Sequence, residues 1–201
     1  NEILDIANKY EIPIIEDAAE SLGSTYFGKP LGCMSDFGIY SFNGNKIITT
    51  SGGGALISSD SEMINKAKFL ATQARDDAPH YEHTHIGYNY RLSNVSASIG
   101  LGQLEVLQDR VNTRRKIFNF YKTRLSEIKE ISFLEEIDGF RSNRWLTTIL
   151  ISKDSKISRE ELRLFLEKDK IESRPLWKPM HMQPIFKEYP AYGGNNSEYL
   201  F

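Results

Sequence analysis

The segment Ile12-Pro13-Ile14-Ile15-Glu16-Asp17 restricts the possible folds more than any other stretch of the chain. A short apolar run without polar alternation is the pattern of a strand buried on both faces. Just before it, Ile3, Leu4, Ala7 and Tyr10 recur at helical spacing. Phe37–Phe42 and Ala55–Ser58 read as two further strands. Ser61–Ala74 reads as a helix, with Met63, Ile64, Ala67, Phe69 and Leu70 on its apolar side. Helices alternating with strands predict an α/β fold. In open parallel sheets of that class, ligands gather at the carboxyl ends of strands, and Asp17 stands just past such an end.

Arg75 to Arg91, rich in Asp, His, Tyr and Gly, reads as a long loop, a kind of segment that often carries function. A long helix is predicted from Asn94, with Ser93 or Asn94 as its N-cap. Its stripe of Leu104, Leu107, Val111, Phe118, Tyr121, Leu125 and Ile128 runs to residue 128, so the helix links two packed units or bends between them. A strand over Trp145–Ser152, a helix over Ser158–Lys168 and a strand over Ile171–Leu176 then predict a small α/β domain. The chain starts at Asn1 inside a helical pattern and ends on Tyr199-Leu200-Phe201, which reads as an internal piece of a longer protein.

Composition narrows the function classes. A net charge of −2 over 201 residues gives no global electrostatic argument for binding nucleic acid or an anionic membrane. No apolar run approaches the roughly 20 residues that span a bilayer. Cys33 is the single cysteine, so no intrachain disulfide forms, as suits a reducing cytoplasm.

The chemistry centres on Lys46, in Ser41-Phe42-Asn43-Gly44-Asn45-Lys46-Ile47-Ile48-Thr49-Thr50-Ser51-Gly52-Gly53-Gly54. With Asp17 ending an earlier strand, the pair suggests a pyridoxal phosphate site. The amine forms a Schiff base, the carboxylate keeps the pyridine nitrogen protonated, and nearby hydroxyls and amides bind phosphate. Each piece alone has a plainer reading. A lone lysine is a solvated surface group, and an aspartate at a strand end is a turn former. Glycines 52–54 follow neither phosphate-loop nor dinucleotide order, so a turn allowing close backbone packing is the better reading of them. His80, His83 and His85 have no recognisable fourth metal ligand, which leaves surface or substrate-contact histidines and no predicted metal. Trp177, Lys178 and His181 lie among Pro175, Pro179 and Pro184, either as a surface loop or as a rigid substrate rim.

Together these pieces resemble the DegT/DnrJ family of pyridoxal phosphate-dependent sugar aminotransferases. The blocks that carry the resemblance are IIEDAAESLGS (14–24), SDFGIYSFNGNKIITTSGGG (35–54), GYNYRLS (87–93) and RPLWKPMHMQP (174–184). The resemblance implies the aspartate aminotransferase fold type, fold type I. Its three-layer α/β/α large domain would be represented in part by residues 1–110, and a linking helix with a small α/β domain by 111–201. It implies amino transfer, with glutamate the expected donor, to the C4 ketone of a nucleotide-linked 4-keto-6-deoxy sugar. The last block and SFNGNK look most like the subgroup acting on UDP-linked N-acetylhexosamines.

By the same resemblance, Lys46 is the Schiff-base lysine, Asp17 pairs with the pyridinium nitrogen and Ser41 binds the phosphate. Asn89 would reach the phosphate from the neighbouring subunit of a homodimer, and Trp177, Lys178 and His181 would line the substrate entrance. Glu20 stands near the cofactor's phenolic oxygen, where many family members have glutamine; an ionised carboxylate accepts hydrogen bonds but donates none. Two rival readings remain. A related sugar dehydratase carries histidine at the lysine position, and a non-catalytic sugar-binding or regulatory member needs no Lys46–Asp17 pair.

Overall fold

The structure is a computed structural model that describes residues 2–201. The chain forms two compact units. The first contains the chain through Tyr121 together with Glu135–Thr147, and the second contains Lys122–Leu134 and Thr148–Phe201. The second unit thus begins at Lys122, and the later segment Glu135–Thr147 returns to the first.

In the first unit, helix α1 (Glu2–Lys9) leads into β1 (Ile15–Asp17). Two short strands, β2 (Thr25–Tyr26) and β3 (Lys29–Pro30), precede β4 (Phe37–Ser41), and β5 (Gly54–Ile57) follows it. β4 is the centre of the main sheet. It pairs in parallel with β1, aligning Asp17 with Ile39, and antiparallel with β5, aligning Ser41 with Gly54. One face of this sheet packs Tyr40, Ala55 and Ile57 around the core of Ala18, Phe42 and Ile48. The other face keeps Ile15, Ile39 and Leu56 exposed. The expectation of a strand buried on both faces is thus corrected: Ile12 and Ile15 are 59% and 64% exposed, because no described element covers that side of β1. On α1, likewise, Ala7 is buried whereas Ile3 and Tyr10 are exposed.

Polar side chains fix the register of β1. Asp36 accepts the Ile14 amide at 2.7 Å, and Glu16 accepts the Gly32 and Met34 amides at 2.5 and 3.2 Å. The buried Tyr40 hydroxyl donates to the Leu31 carbonyl at 2.5 Å. Burial pushes this hydroxyl well above the usual tyrosine range, so it remains a donor.

Helix α2 (Ser61–Ala71) starts at Asp60, whose carboxylate accepts the Glu62 and Met63 amides. The predicted long helix is two: α3 (Asn94–Glu105), capped by Ser93, and α4 (Leu107–Arg124), broken at Val106 (φ −109°, ψ 12°). Val111 and Phe118 bury α4 in the first unit. A Cβ on Gly23, which has φ +84°, would lie 2.7 Å from Val111 Cγ2, so this contact demands glycine on both counts.

The second unit holds β6 (Ile131–Phe133), and β7 (Phe140–Arg141) pairs with β2 in the first. β8 (Ile149–Ile151) pairs antiparallel with β6. The strand expected from Trp145 begins only at Ile149. Before it, the Asn143, Arg144 and Trp145 amides donate to the side chains of Ser24, Ser142 and Asn143, which leaves them no ladder to join. Helix α5 (Arg159–Lys168) is fixed by a reciprocal Ser158–Glu161 capping box. Ile171–Leu176 forms no strand. Pro175 lacks an N–H and holds Arg174 extended without a partner ladder. Beyond two 3-10 turns, α6 (Asn195–Leu200) closes the chain. No helix among the described residues is long and apolar enough to cross a membrane.

Glu136 anchors the returning segment. It takes both guanidinium nitrogens of Arg115 at 2.5 and 3.0 Å and the Ser142 amide at 2.6 Å. The Arg115 hydrogen bonds hold its carboxyl at about 2, below the ordinary 4.5. A depressed carboxyl stabilises the fold fully above its unfolded value and loses that contribution as pH falls through the folded one. Glu136→Gln should therefore destabilise the protein by about 1.5–3 kcal/mol at neutral pH. The gap to the unsubstituted protein should close between pH 4.5 and about 2, as read by urea unfolding across pH.

Candidate active site

The carboxyl ends of β1 and β4 are adjacent because the two strands run in parallel. β1 ends on Asp17 and β4 on Ser41, so a carboxylate and a hydroxyl stand at the same sheet edge. The chain leaves β1 through tight turns, with the Ser21 amide donating to Ala18 and the Ser24 amide to Ser21. These turns carry Glu20 back towards the segment after β4. There the Lys46 amide closes a turn onto the Asn43 carbonyl. Lys46 Nζ lies 3.1 Å from Glu20 Oε1, and the lysine side chain is only 12% exposed.

Three further contacts fix the lysine loop. Gln103 on α3 makes a two-way clamp on Thr49, accepting its N–H at 3.1 Å and donating to its carbonyl at 2.9 Å. The Phe42 carbonyl accepts from the Thr49 hydroxyl and the Thr50 amide. Trp145 donates its indole N–H to the Asn45 carbonyl at 2.6 Å and presents its ring 4.7 Å from Lys46 Nζ. Such a cation–ring contact contributes roughly 0.5–2 kcal/mol.

Behind this, Asn143 is 3% exposed and nearly saturated with hydrogen bonds. Its carboxamide nitrogen donates to the Glu20 and Leu22 carbonyls at 2.8 and 3.0 Å, and its oxygen accepts the Trp145 amide at 3.0 Å. One buried side chain thus ties the Glu20 turn to the tryptophan that touches Lys46.

The sequence-predicted residues fall into three places. Asp17, Glu20, Ser41 and Lys46 share the sheet edge. Asp17 is exposed and accepts the Ala19 amide at 3.1 Å; Ser41 accepts the Asn43 amide at 3.3 Å. Asn89 lies on a different part of the first unit, bridged to Thr72 at the end of α2. Trp177, Lys178 and His181 belong to the second unit. There His181 Nε2 meets Glu198 Oε1 at 2.9 Å, which fixes the ring's orientation. Of glycines 52–54 two serve close packing: a Cβ would lie 2.5 Å from Leu92 Cδ1 on Gly53 and 2.3 Å from the Tyr40 carbonyl oxygen on Gly54, whereas Gly52 faces open space. His80 pairs with Glu82, and His83 with the Gln73 carbonyl.

Sequence reading missed Gln103, Asn143 and Trp145. Their contacts span 54 to 123 residues of chain, and local pattern carries no signal for such pairs. In sequence Trp145 reads only as the first residue of a strand over Trp145–Ser152.

The ends of the parallel strands β1 and β4 thus bring an amine, two carboxylates and a hydroxyl together on an α/β fold. Residues 1–200 match the DegT/DnrJ/EryC1/StrS aminotransferase family, and the chain belongs to that family. It is 53% identical over 186 residues to EpsN of Bacillus subtilis (strain 168), assigned by name to pyridoxal phosphate-dependent aminotransferases. That alignment covers 92% of this chain and 47% of EpsN. It is 37% identical to a Campylobacter jejuni UDP-4-amino-4,6-dideoxy-N-acetyl-beta-L-altrosamine transaminase (serotype O:23/36, strain 81-176), covering 81% of this chain and 44% of that protein. A crystal structure of a DegT DnrJ EryC1 StrS aminotransferase from Brucella abortus superposes with TM-score 0.81 at 29% identity. It covers 94% of this chain and 49% of that one. The chain thus spans about half the length of the relatives it matches, and it has their α/β fold.

Replacing Asn143 by Ala leaves two buried carbonyls and one amide without partners. Thermal unfolding should show a loss of about 2–3 kcal/mol, and Asn143→Asp, which turns the donor into an oxygen facing the Glu20 and Leu22 carbonyls, should lose at least as much at neutral pH.

Proposed function

We propose that this chain carries the reactive lysine of a pyridoxal phosphate-dependent enzyme that moves an amino group from an amino acid, with glutamate the expected donor, to a nucleotide-linked sugar. The acceptor is the C4 ketone of a 4-keto-6-deoxy sugar, with a UDP-linked N-acetylhexosamine the narrower reading. The observation that carries the reading is the mostly enclosed Lys46, paired with Glu20 at the strand ends that also present Asp17 and Ser41. Family membership and the names of EpsN and the Campylobacter transaminase support it.

The residues present fit the cofactor by their chemistry. Pyridoxal phosphate, when bound, supplies an electron-accepting ring that spreads negative charge from the carbon losing a proton. Asp17, whose recorded partner is one local amide, has carboxylate capacity left for a ring N–H. Ser41 uses its oxygen as an acceptor and keeps its O–H for a phosphate oxygen. Lys46 supplies the amine that bonds an aldehyde carbon, and afterwards Nζ carries a proton towards the carbon gaining nitrogen. Glu20 Oε1, 3.1 Å from Nζ, holds the amine in place at the strand ends.

The active assembly in this reading is a cytoplasmic homodimer with shared sites. Asn89 serves the partner's phosphate, and Trp177, Lys178 and the Glu198-held His181 line the sugar entrance. The exposed apolar side chains of Tyr81, Ile86, Tyr90, Val95 and Leu101, on and after the Asn89 loop, support a protein-covered surface there. Lys46 also separates this reading from the dehydratase and non-catalytic ones.

In the full-length protein, Lys46→Arg should abolish amino transfer from glutamate to a 4-keto sugar nucleotide; retained turnover would refute the role. Mixing inactive Lys46→Arg with inactive Asn89→Ala tests the shared site. Random re-pairing should restore roughly a quarter of the wild-type rate, since half the dimers hold one intact site of two. No recovery after verified subunit exchange would place Asn89 outside the partner's site.

A further inference from the structure

We infer that Trp145 is a positioning residue for Lys46: its ring face holds the Nζ group at the sheet edge, opposite the Glu20 carboxylate. The inference rests on Lys46 being the cofactor-bonding lysine. A lysine side chain has four rotatable bonds, so an amine that must meet one carbon atom needs its rotamer selected. Two groups do this here. Glu20 Oε1 lies 3.1 Å from Nζ, and the Trp145 ring centroid lies 4.7 Å from it. Glu20 is half exposed, so water competes for its charge. Trp145 is 6% exposed, which makes the ring the better-fixed of the two walls.

The ring is fixed from both ends. Its indole N–H is spent on the Asn45 carbonyl, the residue next to Lys46, at 2.6 Å. Its backbone amide is held by Asn143, whose carboxamide also holds the Glu20 turn. The Ser142 amide just before it is bound by Glu136. Trp145 therefore measures the lysine loop against the Glu20 turn, and a shift of the ring moves Lys46 relative to Asp17 and Ser41. The mean position of a reacting amine is what such a wall controls, and misplacement by about 1 Å costs a reaction up to 10²-fold.

Two variants separate the ring face from the indole N–H. Trp145→Phe and Trp145→Leu both lose the hydrogen bond to Asn45, but only Phe keeps an aromatic face. In the full-length, cofactor-free protein, pyridoxal phosphate capture is followed by visible absorbance and its site by borohydride fixation and peptide mapping. Circular dichroism checks the fold. Capture at Lys46 should slow by about tenfold or more in Trp145→Leu, with adducts spreading to other lysines, and should stay within about threefold of wild type in Trp145→Phe. Equal rates in the two variants, or a wild-type rate in Trp145→Leu, would overturn the inference.

Should Trp145→Leu fail to fold, fluorescence decides. In a Trp177→Phe background Trp145 is the sole tryptophan of these 201 residues; the part of the emission that a further Trp145→Phe removes is its own, and Lys46→Met should change that part by removing the cation from the ring face. Unchanged emission would overturn the inference. An unlabelled Lys46 in wild type would instead refute the aminotransferase reading, and the fluorescence comparison would still decide the role of Trp145.

Discussion

The buried carboxamide of Asn143 is the contact on which the site depends. It gives two hydrogen bonds to the Glu20–Leu22 turn and takes one from Trp145, so a segment near residue 143 and one near residue 20 share a single polar hub. A buried amide left half-satisfied would cost about as much as several surface ion pairs provide. The segment is therefore held in one geometry, and the lysine loop, bound to Trp145 through Asn45, inherits it. Glu136 and Arg115 brace the same segment from the α4 side.

The charges divide by task. Arg163 pairs with Glu160 and Glu167 on the exposed face of α5, where water screens such pairs and they contribute little. Arg115–Glu136 is partly enclosed and two-pronged, and it fixes where a chain segment lies. Lys46–Glu20 differs from both: a mostly enclosed lysine faces a carboxylate still open to water. That arrangement holds the amine in place while one side of the pair stays open to solvent. In the proposed reaction Asp17 would have the opposite need, a negative charge kept beside a cofactor nitrogen. The parallel pairing of β1 with β4 separates the two requirements while keeping them on one edge.

The parts of this legible in sequence were those written locally. The Ser93 cap, the helix that follows Ser158 and the strands around Asp17 and Ser41 follow from neighbours a few residues apart. The block order around Lys46 carried the family. Three features were not local. The break at Val106 interrupts a continuous apolar stripe. Trp145 reads as a strand residue yet spends its polar groups on side chains and on Asn45. The apolar run at Ile12–Ile15 reads as doubly buried, but what covers a strand depends on which elements lie beside it, and one face of β1 is open among the described residues.

A crystal structure of the full-length protein grown with pyridoxal phosphate tests the central claim most directly. The account predicts continuous density from Lys46 Nζ to the cofactor, the ring nitrogen on Asp17, the phosphate on Ser41 and the Trp145 ring still beside the lysine stem. Cofactor joined to another lysine, or bound away from the β1–β4 edge with Lys46 still on Glu20, would contradict it.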